Sequence, residues 1–202
     1  MLVSWPGPFL FIKEVKNHKE IKEKIFSTIE KQSESPEFYN YPNKVRKDSN
    51  TTWNCEVVTS FFNRNDIEVK NIFTEELVNE LIDPVLQDLF NHPNYIGKKD
   101  PKKTILEEIW YNVYKPGYQQ EIHDHSGATF SGIYLLELNE PNTTVFYSHS
   151  AGYDYAEWPG GVYLTNTIKE GNIILFPSEF LHAVKPSINY KISISFNLKC
   201  LF

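Results

Sequence analysis

Cysteine is scarce in this chain: Cys55 and Cys200 are the only two among 202 residues. That is too few for a disulfide-stapled fold, so both read as buried small hydrophobes in a reducing compartment. No apolar run approaches the roughly 18 residues a spanning helix requires. The start, Met-Leu-Val-Ser-Trp-Pro-Gly-Pro, has no basic segment leading into an apolar stretch and a small-residue cleavage site, so the expected location is the cytoplasm. Positive charge is not in excess either, with 20 Lys and Arg against 26 Asp and Glu and a net charge of −6. This disfavours non-specific adhesion to nucleic acid or to an anionic membrane, although a local basic groove remains compatible with it. No internal repeat or low-complexity tract is visible. Aromatic residues are plentiful, with 12 Tyr and 14 Phe, and they exclude a disordered chain. The length fits a single domain, 1–202, in which residues 1–104 supply helices and outer strands that support a β-rich body at 105–202.

Periodicity gives the elements. Phe9-Leu-Phe-Ile12 suits an edge strand laid over a core. Over 18–32, Ile21, Ile25 and Ile29 recur at a spacing of four with Lys and Glu between them, which predicts an amphipathic helix with one buried face. Residues 33–52 are polar and broken by Pro, as in a loop, and 51–62, with Trp53, predicts a further outer strand. Thr74 is a suitable N-cap for a second helix carrying Leu77, Leu81, Val85 and Leu89 on one stripe. Pro84 predicts a kink or restart within it. Residues 93–104 read as a connector. Beyond them come eight short segments rich in Val, Ile, Tyr and Phe, at 107–115, 118–125, 130–138, 143–149, 162–166, 172–176, 181–185 and 190–200, separated by Gly, Pro and Asn turns. That pattern predicts an antiparallel sandwich or barrel rather than a βαβ sheet.

Three of the six histidines suit a metal site. His123 and His125 are two apart on a predicted strand, so both rings point to one face and Asp124 to the other; His182 comes 57 residues after His125 at the start of another strand. Two ligands from one strand and a third from elsewhere leave half a coordination sphere open, as in the facial triad of non-haem Fe(II) oxygenases. Read alone, an H-x-H pair is most often two surface or hydrogen-bonded histidines. The last strand adds a second signal: in Tyr190-Lys-Ile-Ser-Ile-Ser-Phe-Asn-Leu198, the residues Lys191, Ser193, Ser195 and Asn197 share one face and the intervening apolar residues the other. An all-polar face suits a solvated outer strand. It also suits a pocket wall, where Lys191 and a neighbouring hydroxyl hold the far carboxylate of a small dianion.

On these residues the chain resembles the Fe(II)/2-oxoglutarate-dependent oxygenases of the prolyl-hydroxylase-like group. The resemblance rests on Tyr114-Lys-Pro-Gly117, His123-x-His125, Ser131-Gly-Ile-Tyr-Leu135, Gly171-Asn-Ile-Ile-Leu-Phe-Pro177, His182-Ala-Val and Lys191-Ile-Ser193 running into Ser195-Phe-Asn197. It covers roughly half the chain, and the nearest branch is common in bacteriophage and bacterial genomes, which adds the expectation of a phage-encoded protein working in the host cytoplasm. The resemblance implies a mainly β fold, a double-stranded β-helix or cupin-like jelly roll preceded by helices, with 105–202 as the catalytic core. It implies Fe(II), 2-oxoglutarate and O2, and hydroxylation of an unidentified substrate, a protein or prolyl side chain or a small molecule, with succinate and CO2 as products. It further implies that Lys191 and Ser193 bind 2-oxoglutarate, and that Tyr111, Asn112 and Tyr134 border it. Two positions depart from the pattern. His125 stands where the family has a carboxylate, which leaves either a three-histidine site or one that recruits Asp124. Lys191 replaces the usual Arg, a point charge in place of a bidentate fork. The rival readings are a three-histidine cupin-type dioxygenase that needs no oxo acid and a non-catalytic jelly-roll binding or virion module. The aromatic, Gly-rich stretch 147–161, with His149, suits a lid over a substrate cleft.

Overall fold

Both faces of the long C-terminal strand are buried, and that fact organises the molecule. The computed structural model describes residues 2–4, 9–35, 56–97, 99–139, 142–147, 161–163 and 168–202. Trp53, Cys55, His149 and most of the 33–52 and 147–161 segments lie outside the described residues. The described strands, all paired antiparallel, are β1 (Leu2–Ser4), β2 (Phe9–Glu14), β3 (Val58–Thr59), β4 (Lys103–Tyr114), β5 (Gln120–His123), β6 (Phe130–Leu138), β7 (Thr144–Tyr147), β8 (Gly161–Tyr163), β9 (Asn172–Pro177), β10 (His182–Val184) and β11 (Lys191–Leu201). A seven-stranded sheet runs β1-β2-β9-β6-β11-β4-β3, and a four-stranded sheet runs β5-β10-β7-β8. Two sheets with this interleaved strand order form the jelly-roll sandwich expected of a double-stranded β-helix.

The period-two alternation of the central strands divides two hydrophobic clusters. Ile192, Ile194, Phe196 and Leu198 of β11, with Tyr111 and Val113 of β4, Tyr134 and Leu136 of β6 and Ile173 and Leu175 of β9, face the helices. The opposite faces of β6 and β9, through Ile133, Leu135, Ile174 and Phe176, meet Phe146 in the space between the sheets. Helix α1 (His18–Ser33) buries Ile21, Ile25 and Ile29 against the first cluster, each contributing roughly 2 kcal/mol by area. At its start, His18 Nδ1 lies 2.6 Å from the Tyr134 hydroxyl, Lys22 pairs with Glu137 and Glu170, and Glu170 accepts the Leu138 N–H. A 3-10 turn (Phe61–Asn63) and the short α2 (Ile67–Lys70) lead to α3 (Glu75–Phe90), where the Thr74 hydroxyl accepts the Leu77 N–H as an N-cap.

The helix α3 neither ends nor restarts at Pro84. The ring sits on the exposed side, where the carbonyl it leaves unpaired can be hydrated, while Leu77, Leu81, Val85 and Leu89 stay anchored in one stripe. Three further expectations are corrected. Strand β2 is not an edge: β1 pairs beyond it, and β9 lies on its other side. Within 56–62 only Val58–Thr59 is strand, and Ser60 begins the turn. Strand β5 stops at His123, so His125 follows the strand rather than lying on it. Gly132 is fixed by a neighbour across the ladder, because Phe196 is its register partner and a Cβ at 132 would overlap the Phe196 ring. No described helix is long and apolar enough to cross a membrane.

Candidate metal centre

Antiparallel pairing of β5 with β10 places His123 directly opposite His182, with ring centroids 4.2 Å apart. The turn after β5 swings His125 back over the same spot, held by its backbone N–H on the Ser178 carbonyl at 2.8 Å. Its ring lies 5.3 Å from His123 and 5.1 Å from His182. One ring nitrogen from each lies within 4.8 Å of the others, a spacing that one cation can bridge. Asp124 is exposed, accepts the Ser126 N–H and takes no part in this cluster, so the alternative of recruiting it is not supported by the geometry.

The protonation state suits ligation. Burial is the first cause lowering all three histidines: His123 falls to about 4, His125 falls, and His182, fully enclosed beside the other two rings, falls well below its ordinary value. At neutral pH the three rings are therefore neutral. Each Nδ1 faces an oxygen: the Glu121 carbonyl at 2.8 Å, the Phe180 carbonyl at 3.0 Å and the Asn197 side-chain oxygen at 2.8 Å. A neutral imidazole that donates from Nδ1 presents a lone pair at Nε2. The Nε2 of His125 is buried and has no hydrogen-bond partner, the condition of an atom waiting for a ligand.

The three histidines line a narrow pocket together. Its walls include Trp110, Asn112, Tyr114, Gln120, Thr144 and, from β11, Lys191, Ser193 and Ser195. The polar face of β11 is thus a pocket wall and not a solvated surface. Lys191 is 1% exposed, and its ammonium donates to the Thr144 hydroxyl at 2.7 Å and lies 5.2 Å from the Tyr114 ring centre. None of the ion pairs among the described residues includes it. Burial without a counter-charge lowers its pKa to about 7. Trp110 stacks on His125 with centroids 5.5 Å apart, and Phe61 meets Trp110 edge-on at 5.1 Å.

Of the residues expected to border 2-oxoglutarate, Asn112 lines the pocket and donates to the Ser195 hydroxyl at 3.1 Å, and Ser193 lines it too. Tyr111 and Tyr134 do not. They point to the helix side, where their hydroxyls meet Gln32 and His18, and burial raises the pKa of both. Adjacent residues on a strand cannot share a face, so the alternation that puts Asn112 in the pocket excludes Tyr111 and includes Tyr114, whose hydroxyl donates to Gln120 at 2.8 Å. Thr144 carried no sequence signal.

Comparison with known proteins agrees with this geometry. Residues 108–197, just under half the chain, match a family model described as "Putative 2OG-Fe(II) oxygenase". No curated protein matches the chain at a significant level. Among solved structures, a prolyl hydroxylase from Trichoplax adhaerens in complex with a hypoxia inducible factor oxygen degradation domain peptide is similar, at 11% identity and a TM-score of 0.62, over 95% of this chain and 83% of that one. A Pseudomonas putida prolyl-4-hydroxylase is similar at 12% identity and a TM-score of 0.55, over 96% of this chain and 93% of that one. At such identities the likeness establishes the fold, a double-stranded β-helix.

Proposed function

We propose that this chain, a prolyl-hydroxylase-like 2OG-Fe(II) oxygenase that works with Fe(II), 2-oxoglutarate and O2, holds its metal on His123, His125 and His182 and its co-substrate on Lys191, and hydroxylates a peptidyl side chain. The observation that carries this reading is Lys191: an ammonium sealed in the pocket wall with no carboxylate paired to it among the described residues, in the pocket that the three histidines also line. A buried, unpaired charge is costly, and an anionic ligand that reaches it removes that cost. The Fe(II) supplies the means of oxidatively decarboxylating 2-oxoglutarate, with succinate and CO2 as products, and of hydroxylating an adjacent C–H bond.

The chain's own residues do the rest. The three imidazoles are neutral and oriented by their Nδ1 partners, so they bind a divalent ion without first losing a proton. Lys191, aided by Thr144, fixes the C5 carboxylate and aims the oxo-acid end at the metal. Trp110 and Phe61 give one wall near His125 an aromatic surface suited to a ring or an aliphatic side chain. The Trichoplax prolyl hydroxylase was solved with a peptide, which supports a peptidyl substrate here. In this reading 105–202 is the catalytic core and 1–104 its support, because α1 and α3 cover the far face of the sheet whose near face carries Lys191. The cupin-type alternative without an oxo acid leaves that ammonium unexplained.

The test is anaerobic titration of the protein with Fe(II) and 2-oxoglutarate, followed by visible absorption. The expected result is a charge-transfer band that needs both components and is lost in His182→Ala and in Lys191→Ala. A band that forms in Lys191→Ala at the same 2-oxoglutarate concentration as in wild type, or that forms without 2-oxoglutarate, would overturn the assignment.

A further inference from the structure

The three histidines are not oriented alike. His123 and His182 each face the backbone carbonyl two residues before them, an arrangement that no side-chain substitution alters. His125 alone is oriented by a side chain, Asn197, and an amide has two ends. Which end faces His125 is decided by the neighbours of Asn197. On β11 it lies in register between Glu108 of β4 and Ser131 of β6. Its Nδ2 donates to Glu108 Oε2 at 2.9 Å, and its Oδ1 accepts from Ser131 Oγ at 2.8 Å. A carboxylate can only accept, so Glu108 forces the amide nitrogen toward itself and the amide oxygen toward His125. Arg64 pairs with the other oxygen of Glu108, with Nη2 2.6 Å from Oε1. Ser131 in turn lies 2.9 Å from the hydroxyl of Ser178, the residue whose carbonyl takes the His125 N–H.

We infer that Glu108 and Asn197 are positioning residues that fix His125 in its Nδ1–H tautomer and so aim an unprotonated Nε2 at the metal. The inference rests on the reading of His125 as a ligand. It explains how a histidine serves at a position where a carboxylate would need no such help: the carboxylate sits one residue further out, at Glu108, and acts through the amide. Glu108 never touches His125, yet without its charge the Asn197 amide is free to turn. Its NH2 would then face Nδ1 and drive the ring proton to Nε2, where it blocks the ligand lone pair.

The experiment uses 15N-labelled, metal-free protein, with long-range proton–nitrogen spectra of the histidine rings at pH 7.5 and assignment of His125 by its replacement, together with titration by Co(II) alone. The wild-type protein should show His125 with a proton on Nδ1. Glu108→Gln should shift it toward the Nε2–H form or a mixture and weaken Co(II) binding by about 10- to 100-fold. Asn197→Asp, which presents an acceptor whatever Glu108 does, should keep the Nδ1–H form and restore Co(II) binding in the Glu108→Gln background. A purely structural role for Glu108 would leave the tautomer unmoved. Should Glu108→Gln fail to fold, Asn197→Leu decides the matter, since it must lose the Nδ1–H preference. An unchanged tautomer and unchanged Co(II) affinity in these variants would overturn the inference. If wild-type protein shows the expected tautomers but binds no Co(II), the ligand reading falls and the orienting role of Asn197 stands.

Discussion

Replacing Lys191 by Met removes a buried ammonium and leaves a side chain of similar length. The pKa of Lys191 is lowered from 10.5 to about 7, and each tenfold in protonation corresponds to about 1.36 kcal/mol, so at pH 7 burial of this amine costs the ligand-free fold about 4 kcal/mol. Against that, the Thr144 hydroxyl loses its donor, a loss of about 2 kcal/mol in a buried site. The variant should therefore be more stable than wild type at pH 7 by about 2 kcal/mol. The pH dependence gives a sharper test. With a folded pKa below the unfolded one, the cost is fully present below about 7 and fades as the pH rises toward 10.5. The advantage of the variant should shrink on raising the pH and change sign near about pH 9. Urea unfolding of both metal-free proteins between pH 7 and 9.5 measures this, and taking the difference cancels the groups common to both proteins. Affinity for 2-oxoglutarate should move the other way. Loss of a charge-assisted bond worth 1.5–3 kcal/mol corresponds to binding roughly 10- to 150-fold weaker. A Met variant that is less stable at pH 7, or that binds 2-oxoglutarate as tightly as wild type, would refute the reasoning.

The other expectations separate the two faces of the large sheet. Tyr114→Phe should raise the KM for 2-oxoglutarate, because its hydroxyl orders Gln120 in the pocket wall, whereas Tyr111→Phe should leave KM unchanged and lower stability by about 1 kcal/mol through the lost bond to Gln32. The reverse pattern in steady-state kinetics would mean that β4 is read in the wrong register. Gly132→Ala should lower the urea midpoint by the equivalent of about 1–3 kcal/mol, since the Phe196 ring must leave its rotamer. Glu170→Gln should destabilise the docking of α1 by about 1–3 kcal/mol, measured by thermal unfolding, because Lys22, His18 and the Leu138 N–H all converge on that carboxylate. No change in melting would show that solvent replaces those bonds without loss.

Much of the architecture was legible because it depends on period. The spacing of Ile21, Ile25 and Ile29 gave α1 its buried face, and alternation in 190–200 separated the polar from the apolar side of β11. Alternation alone does not say which side is wet. A strand with one polar face is ordinarily a surface strand, and only the pairing of β10 with β5, a contact between distant segments, turns the face with Lys191 inward. The same gap explains the failure at Tyr111 and Tyr134. Likeness to a family indicates which strands border the site, but the face of each residue follows from alternation along its own strand, which puts Tyr111 and Tyr134 with the helices and Asn112 in the pocket. At Pro84 the expected restart does not occur for another reason: a local rule about a missing donor gave way to a continuous apolar stripe held in tertiary contact.

Parity also accounts for why one strand can hold so many uncomfortable groups. Along β11, Lys191, Ser193, Ser195 and Asn197 are all nearly sealed from water, and the ammonium alone costs several kcal/mol. Their neighbours Ile192, Ile194, Phe196 and Leu198 lie in the cluster closed by α1 and α3, each adding roughly 2 kcal/mol on the opposite face. Position and function are thereby coupled: the helices cover one face of a strand whose other face lines the pocket through Lys191, Ser193 and Ser195. Loosening that cover should therefore reach the site. Ile25→Ala, in the cluster on the helix side of the sheet, should lower stability by about 2–4 kcal/mol and also weaken Co(II) binding, although Ile25 does not line the pocket. Calorimetric titration with Co(II) at a temperature where the variant stays folded provides the check. Full Co(II) affinity in that folded but weakened protein would show that the polar face keeps its geometry without the helices.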